Sequence, residues 1–431
     1  MRILYLILLL GSIRLSAQGP DTIFNATAVG SLENMLASDA MRGRASFTPD
    51  IERAADSIEI QFRAAGLRTW NGSASYRQPF SMIRAKLLSL TGTLNGDSLS
   101  TANTVIVSSA QHLQINADSS KFKLWWIRPG EDLRSAVQKL ITVKQNMLIE
   151  VDTSFAKTFP RLGRMAGQQF ESDYYKIFVL TTARGGSHFS FTLTADQEIN
   201  ESKLANVVGI LPGKGRHRKE YVIFSGHYDH LGVRKPDSRG DSIYNGANDD
   251  ASGTTAVILL SHYFSHLHHN KRTLVFAAFT AEEIGEFGSQ YFSSQFDPDK
   301  VVAMFNIEMI GSPSKWGENS AFITGFDRST MSIILQRNLS GSQFTFYPDP
   351  YPTQNLFYRS DNASLARKGV PAHTISTTQI DIDKTYHTPE DEVSTLDLPN
   401  MAAIIKAIAL SSKTIVEGKD TPSRVDTSQV K

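Results

Sequence analysis

The spacing of hydrophobic residues changes twice along this chain. Over residues 31–67, apolar residues recur at intervals of three and four, which predicts helix. Over residues 79–201, they form short alternating stretches between polar turns, such as NTVIVSS and YKIFVLTT, which predict strands. From Asn206 onward, strand-like runs alternate with helical ones, and the last helical run covers residues 398–416. Strands that alternate with helices are typical of an α/β domain built on a central sheet.

These changes of pattern also predict the domain boundaries. Residues 18–78 and 202–418 are expected to form one α/β domain, and residues 79–201 a β-rich subdomain inserted into it. Residues 419–431 are polar and are expected to form a disordered tail.

The amino-terminal residues have the pattern of an export signal. Met1 and Arg2 precede the apolar run ILYLILLLGSI, which is short for a membrane span, and small and polar residues follow it. We therefore expect residues 1–17 to be a secretory signal peptide, which predicts a periplasmic or extracellular protein. Since the rest of the chain has no run of 18 apolar residues, we expect no membrane segment after cleavage.

Composition narrows the chemistry further. The chain of 431 residues has 44 basic and 43 acidic residues, a balance that gives no indication of nucleic-acid binding. It has no cysteine, which excludes disulfides, a thiol nucleophile and thiolate metal ligands. Any metal ion would have to be held by histidine and carboxylate side chains. The oligomeric state is left open.

Histidine and acidic residues follow three of the strand-like runs. YVIFSG leads into His227, LVFAAFT into Glu282 and Glu283, and VVAMFN into Glu308. Because open α/β sheets bind ligands at the carboxyl ends of their strands, these side chains could meet there. The acidic turn NGANDDASG and a late YHTPEDEV segment add further carboxylates and another histidine. A single acid at such a position is usually a helix cap or a surface charge, but five motifs in series indicate a metal site.

A second cluster of histidines is a weaker candidate. His262 and His266 are four residues apart in HYFSHLHHN, but the glutamate of an H-E-x-x-H zinc motif is missing. We interpret this segment as the end of an amphipathic helix. The chain also lacks the G-x-S-x-G, Walker and G-x-G-x-x-G motifs of serine hydrolases, P-loop proteins and dinucleotide-binding domains.

The ordered motifs resemble those of a known family. GHYDHLG, NGANDDASG, FTAEEIGEFGSQYF, NIEMIG and YHTPEDEV are similar to motifs of the secreted bacterial co-catalytic di-zinc aminopeptidases. That family also includes glutamate carboxypeptidases and glutaminyl cyclases. The resemblance is strong over residues 206–398 and looser over residues 31–78. It implies an α/β fold of the zinc exopeptidase type, with a mixed, mostly parallel central sheet flanked by helices, and it implies peptide substrates.

Carried over position by position, the resemblance implies two zinc ions that share one carboxylate. Asp249 would bridge the ions, His227 would bind one metal, and Glu308 would hold the other metal. Glu283 would join Asp249 and the terminal ligand His387 in completing the coordination.

The resemblance also assigns the catalytic groups. Glu282 would be the general base that takes a proton from the water between the metals and returns it to the leaving amine. Asp229 would orient the His227 ring, and Tyr386 would donate to the developing oxyanion. The peptide bond between Asp249 and Asp250 is expected to be cis, as it often is in the family.

Two positions depart from the family pattern. Glu308 stands where most members have aspartate, which leaves carboxypeptidase or dipeptidase activity open. Asn362 replaces the histidine of an S-D-H motif and puts a secondary pocket contact in doubt. The histidine in HYD argues against a glutaminyl cyclase, and the complete ligand series argues against a catalytically silent binding module on the same fold. Manganese or cobalt in place of zinc also stays open.

Overall fold

The computed structural model describes residues 19–117, 122–165, 168–182 and 189–429. The chain forms two compact units: one comprises the residues up to Gln78 and those from Ala205 onward, and the other is Pro79–Leu204. Within the described ranges, no helix combines the length and apolar character needed to cross a membrane. The predicted signal peptide lies outside the described residues.

The first unit is built on a mixed sheet whose centre is parallel. Its four central strands run parallel in the order Ala372–Ser376, Val301–Ile307, Tyr221–His227 and Thr273–Phe279. The strand Phe191–Leu211 adds antiparallel to Thr273–Phe279 through residues 207–211. At the other side, Ser320–Ile323 runs antiparallel to Ala372–Ser376 and parallel to Thr345–Pro348. The central strands are buried almost throughout, as parallel strands covered on both faces require. The predicted α/β class with a mostly parallel sheet is confirmed.

Helices complete the first unit. The longer ones are Ala26–Ala37, Pro49–Ala64, Ser252–Leu267, Phe287–Ser294, Met331–Asn338 and Leu398–Ser411, and the shorter ones are Pro20–Ile23, Ala363–Ala366 and Lys413–Val416. The helix predicted over residues 31–67 is in fact two helices. Pro49 occupies the first turn of the second helix, where its missing N–H costs nothing, and Thr48 caps it by accepting from the N–H of Asp50. The intervening 3₁₀ turn Asp39–Arg44 has three residues with positive φ, Arg42, Gly43 and Arg44, which breaks the helix.

The carboxyl-terminal tail is ordered up to residue 429, which contradicts the prediction of disorder. Val425 is buried, and its N–H donates to the carbonyl of Gly369 at 3.0 Å. The Arg424 guanidinium donates to the carbonyl of Val301 at 2.9 Å. Composition alone concealed this because the tail has one buried apolar contact and several backbone hydrogen bonds.

The second unit has its own sheet and its own core. Its four-stranded sheet has the order Thr104–Val107, Lys176–Thr181, Met147–Asp152 and Lys123–Ile127. Other strands of this unit are Arg77–Leu94, Asp97–Ser98, His112–Ala117, Gln169–Phe170 and the first part of Phe191–Leu211. The helix Leu133–Ile141 was not predicted. It begins at Asp132, whose carboxylate accepts from the N–H of Ser135, and it buries Val137 and Leu140.

Candidate metal centre

Three parallel strands end at the same edge of the first unit's sheet, and each supplies candidate ligands there. His227 is the last residue of Tyr221–His227, while Glu282 and Glu283 follow Thr273–Phe279 and Glu308 follows Val301–Ile307. We predicted this position from the sequence, because α/β sheets bind ligands outside the carboxyl ends of their strands. Two of the turns contain non-glycine residues with positive φ, Ala281 and Met309, a conformation that side chains adopt at some energetic cost.

Asp249 lies between two groups of potential ligands. Its Oδ1 is 3.2 Å from Nε2 of His227, and its Oδ2 is 3.2 Å from Nε2 of His387. On one side, His227, Asp249 and Glu308 bring ligand atoms close together, and we name this group the His227 site. On the other side, His230, Asp249 and Glu283 do the same, and we name this group the Glu283 site. His387 faces the Glu283 site, with Nε2 also 3.2 Å from Oε2 of Glu283.

The donor set fits a divalent cation such as zinc. Only nitrogen and carboxylate oxygen atoms converge, and zinc binds both at about 2.0–2.2 Å. Among the described residues, Nε2 of His227 and Oε1 of Glu283 are buried without a hydrogen-bond partner, as expected of atoms meant for a metal. Burial lowers the pKa of His227, but Asp229 and Asp249 outweigh it and hold that pKa well above its usual value. Burial raises the pKa of Asp249, but the surrounding histidines outweigh it and lower that pKa.

Asp250 has a different role from Asp249. The peptide bond between the two residues is cis, as expected. The Asp250 carboxylate accepts from three backbone N–H groups: those of His227 at 3.1 Å, Gly253 at 2.9 Å and Met309 at 3.1 Å. It therefore ties two strand ends to the start of a helix.

Asp391 and Arg44 also hold the Asp249 turn, and neither was predicted from the sequence. The Asp391 carboxylate accepts from the N–H groups of Asn248 at 2.8 Å and Asp249 at 3.0 Å. Burial raises the pKa of Asp391 to about 6. The buried Arg44 guanidinium donates to the carbonyls of Asn245 and Gly246, which precede Asp249. The only sequence signals were an acid in YHTPEDEV and an arginine in MRGR.

Asp229 contacts His227 mainly through its backbone. Nδ1 of His227 donates to the carbonyl oxygen of Asp229 at 3.1 Å, while the nearer carboxylate oxygen is 3.7 Å away. This hydrogen bond leaves Nε2 free to face the His227 site. The Asp229 carboxylate accepts from the N–H of Glu282 and from the hydroxyl of Ser46, both at 3.1 Å.

Glu282 lies beside the ligands without belonging to either group. Its Oε2 is 4.0 Å from Nε2 of His227, and its side chain is 14% exposed. Burial raises the pKa of Glu282 well above its usual value, and the charges of Glu308 and Asp361 raise it further. A carboxylate with a raised pKa that is not itself a metal ligand is suited to proton transfer.

Glu308, the departure from the family pattern, is held by polar neighbours. Its Oε2 accepts from the hydroxyl of Ser360, which in turn accepts from Nδ2 of Asn306 at 2.7 Å. Burial raises the pKa of Glu308 to about 7. Asn362, the other departure, is buried and donates to the carbonyls of Phe357 and Ala372. Its amide therefore holds the local backbone.

Tyr386 and His387 form the exposed side of the Glu283 site. The Tyr386 ring stacks on the His387 ring with centroids 3.8 Å apart and planes 20° apart. Tyr386 is 47% exposed. His387 has a φ of 58°, which turns its side chain toward Asp249 and Glu283.

His230 is the ligand-type residue that the sequence reasoning missed. It follows His227 by three residues in GHYDHLG, and this second histidine was the available signal. By contrast, His262 and His266 lie on the helix Ser252–Leu267, and neither belongs to a ligand group in the described part of the chain.

Comparisons with known proteins agree with this geometry. Residues 206–411 match the model of peptidase family M28. A probable zinc metalloprotease of Pyrenophora teres is 35% identical over 111 residues, which are 25% of this chain and 23% of that protein. Leucine aminopeptidase 1 of Ajellomyces capsulatus is 27% identical over 210 residues, which are 46% of this chain and 52% of that protein. The chain thus spans about half or less of these relatives' lengths.

A solved structure shows the same fold. The aminopeptidase from Aneurinibacillus sp. strain AM-1 aligns with a TM-score of 0.54 and 16% sequence identity, covering 91% of this chain and 94% of its own. The family match covers the three ligand-bearing strand ends, the Asp249 turn and His387. Residues 206–411, just under half of the chain, thus match peptidase family M28.

Proposed function

We propose that this protein is a zinc-dependent aminopeptidase that holds two metal ions. The observation that carries the proposal is Asp249, whose two oxygens face two separate ligand groups, with Glu282 beside them. The relatives described above are a zinc metalloprotease and aminopeptidases by name, which supports zinc and this activity.

The residues that would hold the ions follow from the geometry. His227, Asp249 and Glu308 would hold one ion, and Asp249, Glu283 and His387 the other. When bound, paired divalent ions lower the pKa of water and polarise a carbonyl group.

Proton transfer falls to Glu282. Its carboxylate takes the proton from the water that attacks the scissile carbonyl and then delivers it to the leaving amine. Asp229 assists by accepting a hydrogen bond from the N–H of Glu282, which fixes the backbone position of the base. Tyr386, on the exposed side, would donate its hydroxyl hydrogen to the oxyanion of the transition state.

The charges around the site favour a substrate with a free amino group. The carboxyl groups of Asp249, Glu282, Glu283 and Glu308 converge at the site. An α-ammonium group is attracted to such a surface, whereas a terminal carboxylate normally requires arginine or lysine. This favours an aminopeptidase over the carboxypeptidase or dipeptidase activity that Glu308 left open.

The first test uses substrates and metal. Purified protein should release the amino-terminal residue from a panel of amino-acid arylamides and unblocked peptides. It should lose that activity with a chelator and regain it with zinc. Metal-loaded protein that is inert on the whole panel would contradict the aminopeptidase proposal, and preferential cleavage at the carboxyl terminus would replace it with a carboxypeptidase.

The second test separates catalysis from binding. Glu282→Gln should lower kcat by about 10²–10⁴-fold, the usual contribution of a general base, while zinc content stays at two ions per chain. Glu318→Gln, at an exposed position, is the matched control and should leave kcat unchanged. If Glu282→Gln retains full activity, the assignment of the base is wrong. If wild-type protein binds zinc without turnover, a binding module on this fold would be the better description.

The predicted signal peptide, residues 1–17, would place this activity in the periplasm or outside the cell.

A further inference from the structure

His230 occupies a position at the Glu283 site that the family ligands do not explain. Its side chain is completely buried, and Nδ1 lies 2.7 Å from Oε1 of Glu283 and 3.9 Å from Oδ2 of Asp249. The contact with Glu283 is at ion-pair distance. Both Nδ1 of His230 and Oε1 of Glu283 are buried without a hydrogen-bond partner in the described structure. Such an orphaned pair is costly unless another group satisfies it.

The surrounding backbone fixes the His230 ring. The N–H of His230 donates to the carbonyl of Arg44 at 3.2 Å. The opposite face of the ring packs on Gly246, where an added Cβ would lie 2.4 Å from Cγ of His230. Gly246 also has a φ of 59°. Both the close contact and this backbone conformation therefore require glycine. The hydrogen bond fixes the His230 backbone, and the contact with Gly246 limits the movement of the ring.

The distances at the Glu283 site are compatible with one shared ion. Two atoms that both bind one ion at about 2.1 Å can be at most about 4.2 Å apart. Nδ1 of His230 meets this limit with both Glu283 and Asp249. Nε2 of His387 meets it with the same two carboxylates at 3.2 Å each. The rings of His230 and His387 approach edge to face, with centroids 5.8 Å apart.

We infer that His230 is an additional metal ligand of the Glu283 site, which therefore has one histidine from the buried side and one from the exposed side. This inference rests on the proposed function, because it requires that the Glu283 site holds an ion. It makes the two metal positions unequal: the His227 site has one imidazole, and the Glu283 site has two.

The experiment compares His230→Ala and His230→Gln with wild-type protein. Metal-free protein is titrated with zinc against a chromophoric chelator at constant pH, and zinc X-ray absorption spectra of the loaded proteins give the mean number of imidazoles per ion. Glutamine preserves an amide that could hydrogen-bond to Glu283 but supplies no imidazole. His373→Gln removes a buried histidine that bonds to Ser329 and Thr324, and is the matched control.

We expect both His230 variants to bind one of the two zinc equivalents more than ~100-fold more weakly, above the ~10–100-fold cost of losing an outer partner of a ligand. Their imidazole count per bound zinc should fall, whereas His373→Gln should keep wild-type affinity and count. The inference is overturned if His230→Gln restores the affinity and leaves the count unchanged, since a hydrogen bond to Glu283 would then suffice. Wild-type protein that binds only one zinc would overturn both this inference and the proposed two-metal site.

Discussion

Replacing Arg44 with methionine should weaken both the fold and the metal centre. Arg44 is completely buried, and its guanidinium donates to four carbonyl oxygens. Nε donates to Tyr228 at 2.8 Å, Nη1 to Leu36 at 2.7 Å and to Asn245 at 2.6 Å, and Nη2 to Gly246 at 2.9 Å. Three of these carbonyls lie in the segments that carry His227 and Asp249. Methionine has a similar length but no donor.

The size of the effect follows from the number of carbonyls left without a partner. Each buried acceptor that loses its donor costs about 1–3 kcal/mol, and charged donors are at the upper end of that range. Even at the lower limit, four lost bonds lower the free energy of unfolding by about 4 kcal/mol. Since domains are typically stable by about 5–15 kcal/mol, this is a large fraction of the total.

Arg272 provides the matched control for this prediction. It is also fully buried, and it donates to Glu220 and to the carbonyls of Ile415 and Asp420, away from the metal centre. Urea unfolding of the metal-free variants should show similar losses for Arg44→Met and Arg272→Met. Zinc titration should show weaker binding for Arg44→Met alone. Equal zinc affinities in the two variants, or a loss of less than about 1 kcal/mol for Arg44→Met, would refute the positioning role of Arg44.

Two further predictions concern pH. Nδ1 of His373 donates to the carbonyl of Thr324 and its Nε2 accepts from Ser329, and burial lowers its pKa to about 4. Its contribution to stability, up to about 3 kcal/mol, is therefore present above pH 6.5 and is lost as pH falls through 4. In urea unfolding of metal-free protein, His373→Gln should remove this pH dependence of the free energy of unfolding. Burial raises the pKa of Glu33 to about 8, so its contribution is present below about pH 4.5 and is lost as pH rises through 8. Glu33→Gln should accordingly stabilise the protein by up to about 5 kcal/mol at pH 9 but little at pH 4, and equal effects at both pH values would contradict this.

The sequence was most informative where one strand leads directly into a ligand. The strands before His227, Glu283 and Glu308 are mostly apolar, so their type and ends could be predicted from the chain. Their parallel order then places the three residues at one edge of the sheet. Asp249 and His387 lie in irregular turns, and only the resemblance to the family identified them. The periodicity of residues 31–67 did not reveal the break before Pro49, since residues on both sides of it alternate at helical spacing.

Residues that act through backbone contacts could not be predicted in this way. Arg44 and Asp391 are distant in sequence from Asp249. Their hydrogen bonds go to backbone N–H and carbonyl groups, so the type of the partner residue does not indicate the contact. His230 was missed for another reason, because one histidine in GHYDHLG already satisfied the family pattern. The order of the tail was missed because Val425 is one of few apolar residues in a polar segment.

The two adjacent aspartates show how backbone hydrogen bonds position the candidate metal ligands. The carboxylate of Asp250 accepts hydrogen bonds from the N–H groups of His227, Gly253 and Met309, and that of Asp391 accepts two from the turn itself. The positions of these N–H groups are set by the sheet and by the helix Ser252–Leu267. The position of Asp249 therefore depends on contacts throughout the fold, and not on its own side chain alone.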